Sequence, residues 1–193
     1  MKLLKALNLI PIFATFMTVA TQSPAGSLAG RLGIEGGGDK LLSLQFTNGD
    51  TNHIKAGNGA FFEIGYGTST PLQNDPALQT EFSFGYKIDS ETASNGEVEF
   101  RRLSVNLNQM IKLEKFRLGG GLTYHFDNKF KTRGSFFNGG NVEFDKSLGI
   151  NLMAEYLASD RAVFGIRATI IEYEANGATV DGNSIGLYLG ANY

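Results

Sequence analysis

Apolar and polar residues alternate strictly at the end of the chain. Between Ser184 and Tyr193 every odd position is apolar, and the even positions carry small or polar residues and one tyrosine. A period of two residues is the period of a β-strand, because successive side chains point to opposite faces of the sheet. One apolar face, one small or polar face and a final aromatic predict a strand in a barrel wall, with lipid outside and a packed polar interior.

The same alternation recurs throughout the chain. In the segment 78–89, for example, one face is apolar except for Thr80, and the other holds only polar residues and glycine. Gly36–Gly38 mark a bulge or bend in the first segment, and a phase slip near Ile171 interrupts the seventh. The eight segments are 28–46, 53–70, 78–89, 97–111, 116–126, 148–156, 161–173 and 184–193.

The connections between these segments fall into two sets. Three lie on one side and four on the other, and the second set is longer on the whole and richer in Asn, Gly, Asp and Ser. The first set is 69–77, 112–115 and 158–160, and the second is 47–52, 90–96, 127–146 and 174–182. Short periplasmic turns that alternate with longer outside loops are typical of bacterial transmembrane barrels. A soluble β-sandwich explains the alternation within any single segment equally well. It does not explain eight segments that share one pattern of inward and outward residues. We therefore predict an all-β fold, an eight-stranded antiparallel up-and-down transmembrane β-barrel with both termini in the periplasm.

Aromatic residues cluster at the predicted strand ends. Girdles of aromatic rings at both membrane interfaces are a feature of transmembrane barrels. The alternative is that aromatics are simply common in strands. Their concentration at the ends favours girdles, formed by Phe116, Tyr156, Phe164 and Tyr193 on one side and by Tyr86, Tyr124 and Phe126 on the other.

The beginning of the chain has the pattern of a secretory signal peptide. Lys2 and Lys5 precede a mostly apolar stretch, after which small residues appear, and cleavage after Ala20 or Ala25 fits this pattern. The alternative is a retained anchor helix, but the apolar stretch is shorter than a membrane-spanning helix requires. The predicted domains are a signal peptide at 1–25 and an outer-membrane β-barrel domain at 26–193.

Composition narrows the possible functions. The 193 residues carry a formal net charge of −2, which argues against a basic surface for nucleic acid, and there is no cysteine to form a disulfide framework. No stretch after the signal peptide approaches 18 consecutive apolar residues, so a helical membrane protein is excluded. The chain has two histidines, His53 and His125, so few residues are available for a catalytic triad or a metal cluster. We predict no enzyme activity, no metal and no cofactor.

Nine charged residues have the parity of the barrel interior. They comprise four acids and five bases, and an eight-stranded barrel is only wide enough for its own side chains to fill it. We therefore expect the charges to pair in a nearly dry interior, as a salt-bridged plug. A conducting pore or a proton path is the alternative. The nine residues are Arg31, Glu35, Glu63, Glu81, Lys87, Arg102, Arg117, Glu155 and Arg167; the expected pairs set Glu63, Glu81 and Glu155 against Lys87, Arg102, Arg117 and Arg167.

The chain after the signal peptide resembles the small eight-stranded outer-membrane barrels of the OmpA, OmpX and OmpW type. The resemblance depends on the strand count, the unequal loops, the charged interior and the final residues Leu187, Leu189 and Tyr193. It implies insertion by the barrel-assembly machinery, with these three residues as the assembly signal. It also implies a location among outer-membrane lipid and lipopolysaccharide, where we expect a monomer. Lipid A deacylases among the small barrels use a His and a Ser on the lipid-facing surface, whereas His125 has inward parity.

Two functions fit this architecture. In the first, the barrel is a surface or structural scaffold whose outer loops mediate interactions, as in adhesion or envelope integrity. In the second, it forms a narrow or lateral path for small apolar solutes. The sequence identifies no surface partner.

One predicted loop carries a group of basic residues. Lys129, Lys131 and Arg133 lie in the segment 127–146, and Arg101 lies at the nearby end of the fourth strand. Basic side chains pair well with phosphate, so these residues favour contact with lipopolysaccharide. An ordinary solvated loop is the alternative.

Overall fold

The computed structural model describes residues 25–45, 51–72, 76–93, 96–134 and 140–192. Within these ranges no helix is long and apolar enough to cross a membrane. Residues 1–24 of the predicted signal peptide, and Tyr193, lie outside the described residues. The strands, in chain order, are β1 (Ala25–Gly36), β2 (Lys40–Gln45), β3 (Thr51–Lys55), β4 (Gly59–Pro71), β5 (Ala77–Ala93), β6 (Gly96–Lys112), β7 (Phe116–Gly134), β8 (Asn141–Phe144), β9 (Ser147–Leu157), β10 (Ala162–Ile170), β11 (Glu172–Ala175), β12 (Ala178–Asp181) and β13 (Ser184–Asn192).

Eight of these strands close into a barrel. Their order around the wall is β1, β4, β5, β6, β7, β9, β10 and β13, and each pairs antiparallel with both neighbours. The pairing of β13 with β1 joins the first wall strand to the last, so no free edge remains in the wall. The predicted all-β fold, an eight-stranded antiparallel up-and-down barrel, is confirmed.

The two ends of the barrel differ in their connections. The end that holds Ala25 and Asn192 is named the terminal end here, and the opposite one the loop end. Short connections join β4 to β5, β6 to β7 and β9 to β10 at the terminal end. At the loop end, three of the four connections carry additional strands, namely β2 and β3, β8, and β11 and β12. The predicted division into a short and a long set of connections holds for three of the four connections at the loop end, although residues 46–50 of the first loop lie outside the described residues. The loop predicted at 90–96 was wrong, because β5 and β6 stay paired up to Ala93 and Gly96 and leave a connection of two residues.

The wall residues follow the pleat of the strands. In β9, for example, buried and exposed side chains alternate along the strand from Ser147 to Tyr156. The outward residues are largely apolar and form a belt around the barrel; Leu187 and Leu189 belong to it and are 60% and 57% exposed. An exposed apolar surface that surrounds the molecule is far larger than a soluble monomer shows, and it matches the lipid-facing band of transmembrane barrels.

Aromatic pairs border the belt at both ends. The ring centres of Phe116 and Tyr156 lie 5.5 Å apart at the terminal end, and those of Tyr124 and Phe126 lie 6.2 Å apart toward the loop end. These positions agree with interfacial girdles. Tyr193, which was predicted for the girdle at the terminal end, lies outside the described residues.

Strands β6 and β7 extend beyond the belt at the loop end. β7 continues to Gly134 in register with β6, and its last part also pairs with β8. The prediction of one continuous loop at 127–146 was therefore wrong. Asp127 has a φ of 52°, and the register between β6 and β7 shifts beside it. A bulge at this point interrupts the alternation before the strand resumes, which is why the pattern of residues concealed the extension.

A second apolar core, named the cap here, closes the loop end. The fully buried ring of Phe100 contacts those of Phe144 and Tyr173, with centroid distances of 5.4 and 5.8 Å. The hairpins β2–β3 and β11–β12, together with β8, supply partly buried residues around it. No sequence pattern predicted the cap, because its members come from separate connections and from the extension of β6. The buried members are Ile54, Ala56, Val98, Phe100, Ile171 and Tyr173.

Candidate functional site

Charged side chains are concentrated in the barrel interior below the cap. All nine charged residues predicted for the interior lie there, because each occupies an inward position in the alternation of its strand. None of these residues is more than 7% exposed. They form two ion-pair clusters and one separate arginine.

The first cluster centres on Glu155. Its carboxylate lies 3.0 Å from Arg31 Nη2 and 2.5 Å from Arg117 Nε, and it accepts a hydrogen bond of 2.7 Å from the Tyr188 hydroxyl. Arg31 also makes a two-pronged contact with Glu81, in which Nη2 donates over 2.9 Å. The planar guanidinium matches the two oxygens of a carboxylate in this arrangement. Two arginines and two glutamates therefore balance each other's charge.

The second cluster centres on Glu35. Its carboxylate accepts hydrogen bonds from Arg167 Nε at 2.6 Å and from Ser184 Oγ at 2.9 Å, and it pairs with the ammonium group of Lys87. Arg167 also pairs with Glu63 through Nη1. Glu35 thus binds two cations that were expected to pair with other glutamates. The alternation of residues predicted which charges face inward, but the choice of partner depends on strand stagger across the barrel.

Arg102 is held by backbone carbonyls. Its Nη1 and Nη2 donate to the carbonyl oxygens of Ala56 and Asn58, and Lys87 donates to that of Gly57 over 2.7 Å. The expected pairing of Arg102 with a glutamate was wrong, since no carboxylate of the described chain forms an ion pair with it. The physical reason is that the turn between β3 and β4 folds into the mouth of the barrel. It brings three consecutive carbonyl groups to the nearest cations.

The interior therefore contains four carboxylates and five cations. A buried charge is costly unless it has a partner of opposite charge, and eight of the nine charges have one in an ion pair. The positive charge of Arg102 is stabilised by the carbonyl dipoles and by the face of the Phe100 ring, whose centre is 4.2 Å away. Because Phe100 belongs to the cap, this contact joins the charged interior to the cap.

Uncharged side chains fill the space between the clusters. Tyr188 packs directly over Gly165, where a Cβ atom would lie 2.1 Å from the tyrosine ring, so this position requires glycine. The ring of Phe61 lies 6.2 Å from that of Tyr188 and 4.1 Å below the guanidinium of Arg167. Sequence reasoning overlooked these aromatic residues as interior fillers, although their inward parity was the available signal. Phe61 and Tyr188 thus occupy interior space beside the ion pairs, together with Met110 and Met153.

His125 also lies inside the barrel. It is buried, and its Nδ1 is 2.7 Å from the hydroxyl of Tyr173 in the cap. Its inward position agrees with its predicted parity and places it away from the lipid-facing surface. Among the described residues, no three His, Cys, Asp or Glu side chains are grouped as metal ligands.

The basic residues predicted to contact lipopolysaccharide lie on the extension of β6 and β7, beyond the belt. Lys129 Nζ is 2.5 Å from the carboxylate of Asp127, and Arg101 is 3.5 Å from the same group. The hydrogen bond between Lys129 and Asp127 lowers the pKa of the aspartate and raises the pKa of the lysine. Both groups therefore stay charged near neutral pH.

The other two basic residues lie further along β7. Arg133 is 3.7 Å from Glu97, whereas Lys131 forms no ion pair within the described parts of the chain. The structure thus brings the four basic residues to one face of the extension, but it places acidic residues between them. The cationic character of this face is weaker than the sequence of the loop indicated.

The predicted assembly signal is partly described. Leu187 and Leu189 point outward from β13 into the belt. Tyr193 lies outside the described residues, so its role stays a prediction.

Comparison with known proteins relates the fold to one group of structures. No protein-family model matches the sequence, and no curated protein is significantly similar to it. The chain is similar to Ail, the attachment invasion locus protein of Yersinia pestis, in its crystal structure with the heparin analogue sucrose octasulfate. The TM-score is 0.52 at 16% identity, over 89% of this chain and 100% of Ail. Neisserial surface protein A gives a TM-score of 0.46 at 12% identity, over 89% of this chain and 98% of that protein.

The assignment depends on the first of these similarities and on the geometry of the barrel. Eight antiparallel strands, a closed wall, an apolar outer belt and a charged interior occur together in one chain. The resemblance predicted from the sequence is confirmed at the level of the fold: this chain has the fold of the small eight-stranded outer-membrane β-barrels.

Proposed function

We propose that the protein is an integral outer-membrane barrel that serves as a surface scaffold and presents its loop end outside the cell. The observation that carries this proposal is the filled interior beneath a folded cap. The clusters of Glu35 and Glu155 occupy the lumen, and the apolar residues around Phe100 close the loop end. Such a barrel offers a rigid external surface and little room for passage through its centre.

The membrane location is supported by the wall. A closed barrel satisfies all backbone hydrogen bonds of its strands, which is the condition for a β-structure to enter hydrocarbon. The outward belt supplies the apolar surface, and aromatic pairs border it at both ends. Insertion by the barrel-assembly machinery, with Leu187, Leu189 and Tyr193 as the signal, belongs to this proposal.

The orientation is supported by the unequal connections. Bacterial barrels carry short turns on the periplasmic side and longer loops outside. The terminal end has the short connections, and the loop end carries the added strands and the cap. The termini of the barrel domain would accordingly lie in the periplasm.

The external partner that we propose is the phosphate of neighbouring lipopolysaccharide. Lys131 supports it, because this side chain is not in an ion pair with the described residues. The similarity to Ail adds support, since Ail was crystallised with a sulfated sugar, and sulfate offers basic side chains the same oxygen acceptors as phosphate. Asp127 and Glu97 oppose it by pairing with Arg101, Lys129 and Arg133. We therefore expect a moderate, salt-sensitive contact.

Two single-cysteine variants test the orientation. The chain contains no cysteine, so Glu143→Cys at the loop end and Lys115→Cys at the terminal end each create a single labelling site. A membrane-impermeant maleimide should label the first on intact cells and the second only after permeabilisation. The reverse result would overturn the proposed orientation.

The contact with lipopolysaccharide is tested on purified protein in which the basic residues are replaced. Replacing Arg101, Lys129, Lys131 and Arg133 by Gln should reduce the lipopolysaccharide that co-purifies, with the largest difference at low salt. A matched control replaces Glu97, Glu99 and Glu143 by Gln on the same face and should retain at least as much lipopolysaccharide as the original protein. Equal retention by the basic variant and the original protein would remove lipopolysaccharide as the partner.

A further inference from the structure

The bulge at Asp127 adds one residue to the outward face of β7. Below the bulge, Leu103 of β6 pairs with Phe126. Above it, Arg101 pairs with Lys129, so two residue steps on β6 correspond to three on β7. The additional residue lies at Asp127, whose φ of 52° is in the left-handed region. Its carboxylate contacts both Arg101 and Lys129, so the three side chains share one face.

Two positive charges face each other across the strands beside this bulge. Arg101 and Lys129 are direct partners in the register of β6 and β7. Like charges in directly opposite positions of neighbouring strands destabilise a sheet. The next outward pair along the extension, Glu99 with Lys131, is complementary instead. Asp127 therefore supplies the negative charge that the pair of Arg101 and Lys129 lacks.

The carboxylate of Asp127 serves the two cations unequally. Its Oδ1 lies 2.5 Å from Lys129 Nζ. Its Oδ2 lies 3.5 Å from Arg101 Nη2, which is longer than the roughly 2.7–2.9 Å of a charge-assisted hydrogen bond. Arg101 Nε is buried and has no hydrogen-bond partner among the described residues. The two carboxylate oxygens are thus directed at different cations, and one donor of the guanidinium is left unused.

A phosphate monoester matches these donors better than the carboxylate does. It carries three acceptor oxygens and up to about two negative charges. Arginine binds phosphate through two parallel N–H groups. Two phosphate oxygens match Nε and Nη2 of Arg101, and the third is left for the ammonium group of Lys129. The donor set therefore fits a tetrahedral oxyanion that is larger than a carboxylate.

The position of the cations along the strands gives the depth of the site. The stacked rings of Tyr124 and Phe126 border the belt toward the loop end. Arg101 and Lys129 form the first outward pair beyond the one that contains Phe126, about 6.7 Å further along the strand. Their side chains are 32% and 28% exposed, so both are accessible from outside. A lipid whose acyl chains lie against the belt brings its phosphate to this pair.

We propose that Arg101 and Lys129 form a phosphate site in which Asp127 is the built-in counter-ion, and that a lipopolysaccharide phosphate binds there by displacing Asp127. The inference rests on the proposed contact with lipopolysaccharide and adds the place of the phosphate and the residue that competes with it. The Asp127 side chain is 33% exposed, so its carboxylate turns toward water when a phosphate takes its place. The competition limits the affinity, and removal of the carboxylate should raise it.

Retention of lipid A by the purified protein tests the proposal. The probes are lipid A with both phosphates and dephosphorylated lipid A with identical acyl chains, and bound lipid is released with increasing salt. Asp127→Asn should retain several-fold more phosphorylated lipid A than the original protein and should require more salt for release, because the competing charge is gone. Asparagine tolerates the left-handed backbone, so the bulge is kept. Dephosphorylated lipid A should be retained equally by both proteins.

Two further variants separate charge competition from other effects. Asp127→Gly also tolerates the positive φ and should give the same gain, because it removes the carboxylate without adding an amide. Glu97→Gln is the matched control, since it removes one negative charge from the same face at a residue whose ion-pair partner is Arg133, 3.7 Å away. It should leave retention close to that of the original protein. Arg101→Gln combined with Lys129→Gln should abolish the gain in the Asp127→Asn background.

The outcomes distinguish this inference from the proposed function. No gain in Asp127→Asn, or an equal gain in Glu97→Gln, would overturn the inference. If the four basic substitutions reduce retention but Asp127→Asn gives no gain, lipopolysaccharide remains the partner and the displacement of Asp127 is wrong. Absence of phosphate-dependent retention in every variant would overturn both. Heat-modifiable migration on a gel shows that each variant is folded.

Discussion

At the scale of single residues, Glu155 shows how the interior tolerates buried charge. Its single carboxylate forms ion pairs with Arg31 and Arg117 and accepts a hydrogen bond from the Tyr188 hydroxyl. Arg31 has a second carboxylate partner in Glu81, whereas Arg117 has Glu155 as its ion-pair partner and Gln79 as a neutral one at 2.8 Å. Loss of the Glu155 charge therefore affects Arg117 most strongly.

We expect Glu155→Gln to destabilise the folded barrel by about 3–5 kcal/mol, because the substitution leaves a buried guanidinium without its counter-charge. The measurement is the urea midpoint of the protein refolded into lipid vesicles, followed by the shift between folded and unfolded bands on an unheated gel. Glu143→Gln is the matched control, since Glu143 is exposed and lies 3.7 Å from its nearest cation. Identical midpoints for the two variants would show that the interior is hydrated and that Arg117 is solvated without Glu155.

At the scale of elements, the strands serve two different environments. Within the belt, the wall strands alternate between lipid and interior, and the outward side chains are exposed. Beyond it, β6 and β7 continue into water and bury Phe100 and Val98 against the hairpins of the loop end. The same strand thus changes from a membrane pattern to the pattern of a soluble sheet.

Replacement of Phe100 by alanine tests whether the cap and the barrel within the belt unfold separately. We expect Phe100→Ala to destabilise the cap by about 3–5 kcal/mol, because the side chain is fully buried and contacts several rings. Hydrogen exchange should accelerate in β2, β3, β8, β11 and β12, while β9 and β10 keep their protection. Phe82→Ala, which removes a ring exposed on the belt, should leave exchange in the cap unaltered. Uniform acceleration in all strands would mean that cap and barrel unfold as one unit.

At the scale of the whole molecule, the barrel is a filled cylinder with a folded cap. Ion pairs and aromatic rings occupy its interior, and the turn that carries Ala56 and Asn58 sits in its mouth. An eight-stranded barrel has little diameter beyond what its own side chains require. Passage of solute through the centre would require both the ion pairs and the turn to move.

We accordingly expect little ionic conductance from the purified protein in planar bilayers. The measurement compares single-channel currents of the original protein with those of protein-free detergent under the same conditions. Arg102→Ala, which removes the hydrogen bonds to the turn in the mouth, tests whether the turn contributes to closure and should increase brief openings. Large, steady, ohmic currents from the original protein would show that water fills the lumen, and the scaffold function would lose its main support.

The sequence determined the wall of this protein. A period of two residues, repeated in eight segments, was sufficient to predict the all-β barrel and the inward parity of residues such as Glu35 and Arg167. The reason is that alternate residues of a strand point to opposite faces, so the sequence of one strand shows which residues share a face. That information is local. It requires only that lipid lies on one side of the strand and packed side chains on the other.

Tertiary structure decided the partners and the cap. Glu35 binds Lys87 and Arg167, and Arg102 binds backbone carbonyls, because strand stagger and the inward turn between β3 and β4 set distances that no single strand encodes. The cap likewise brings together Phe100 from the extension of β6 and Tyr173 from β11, and a bulge at Asp127 changes the parity of β7 beside them. Contacts between residues far apart in the chain depend on closure of the barrel, so they exist only once all the strands are in place.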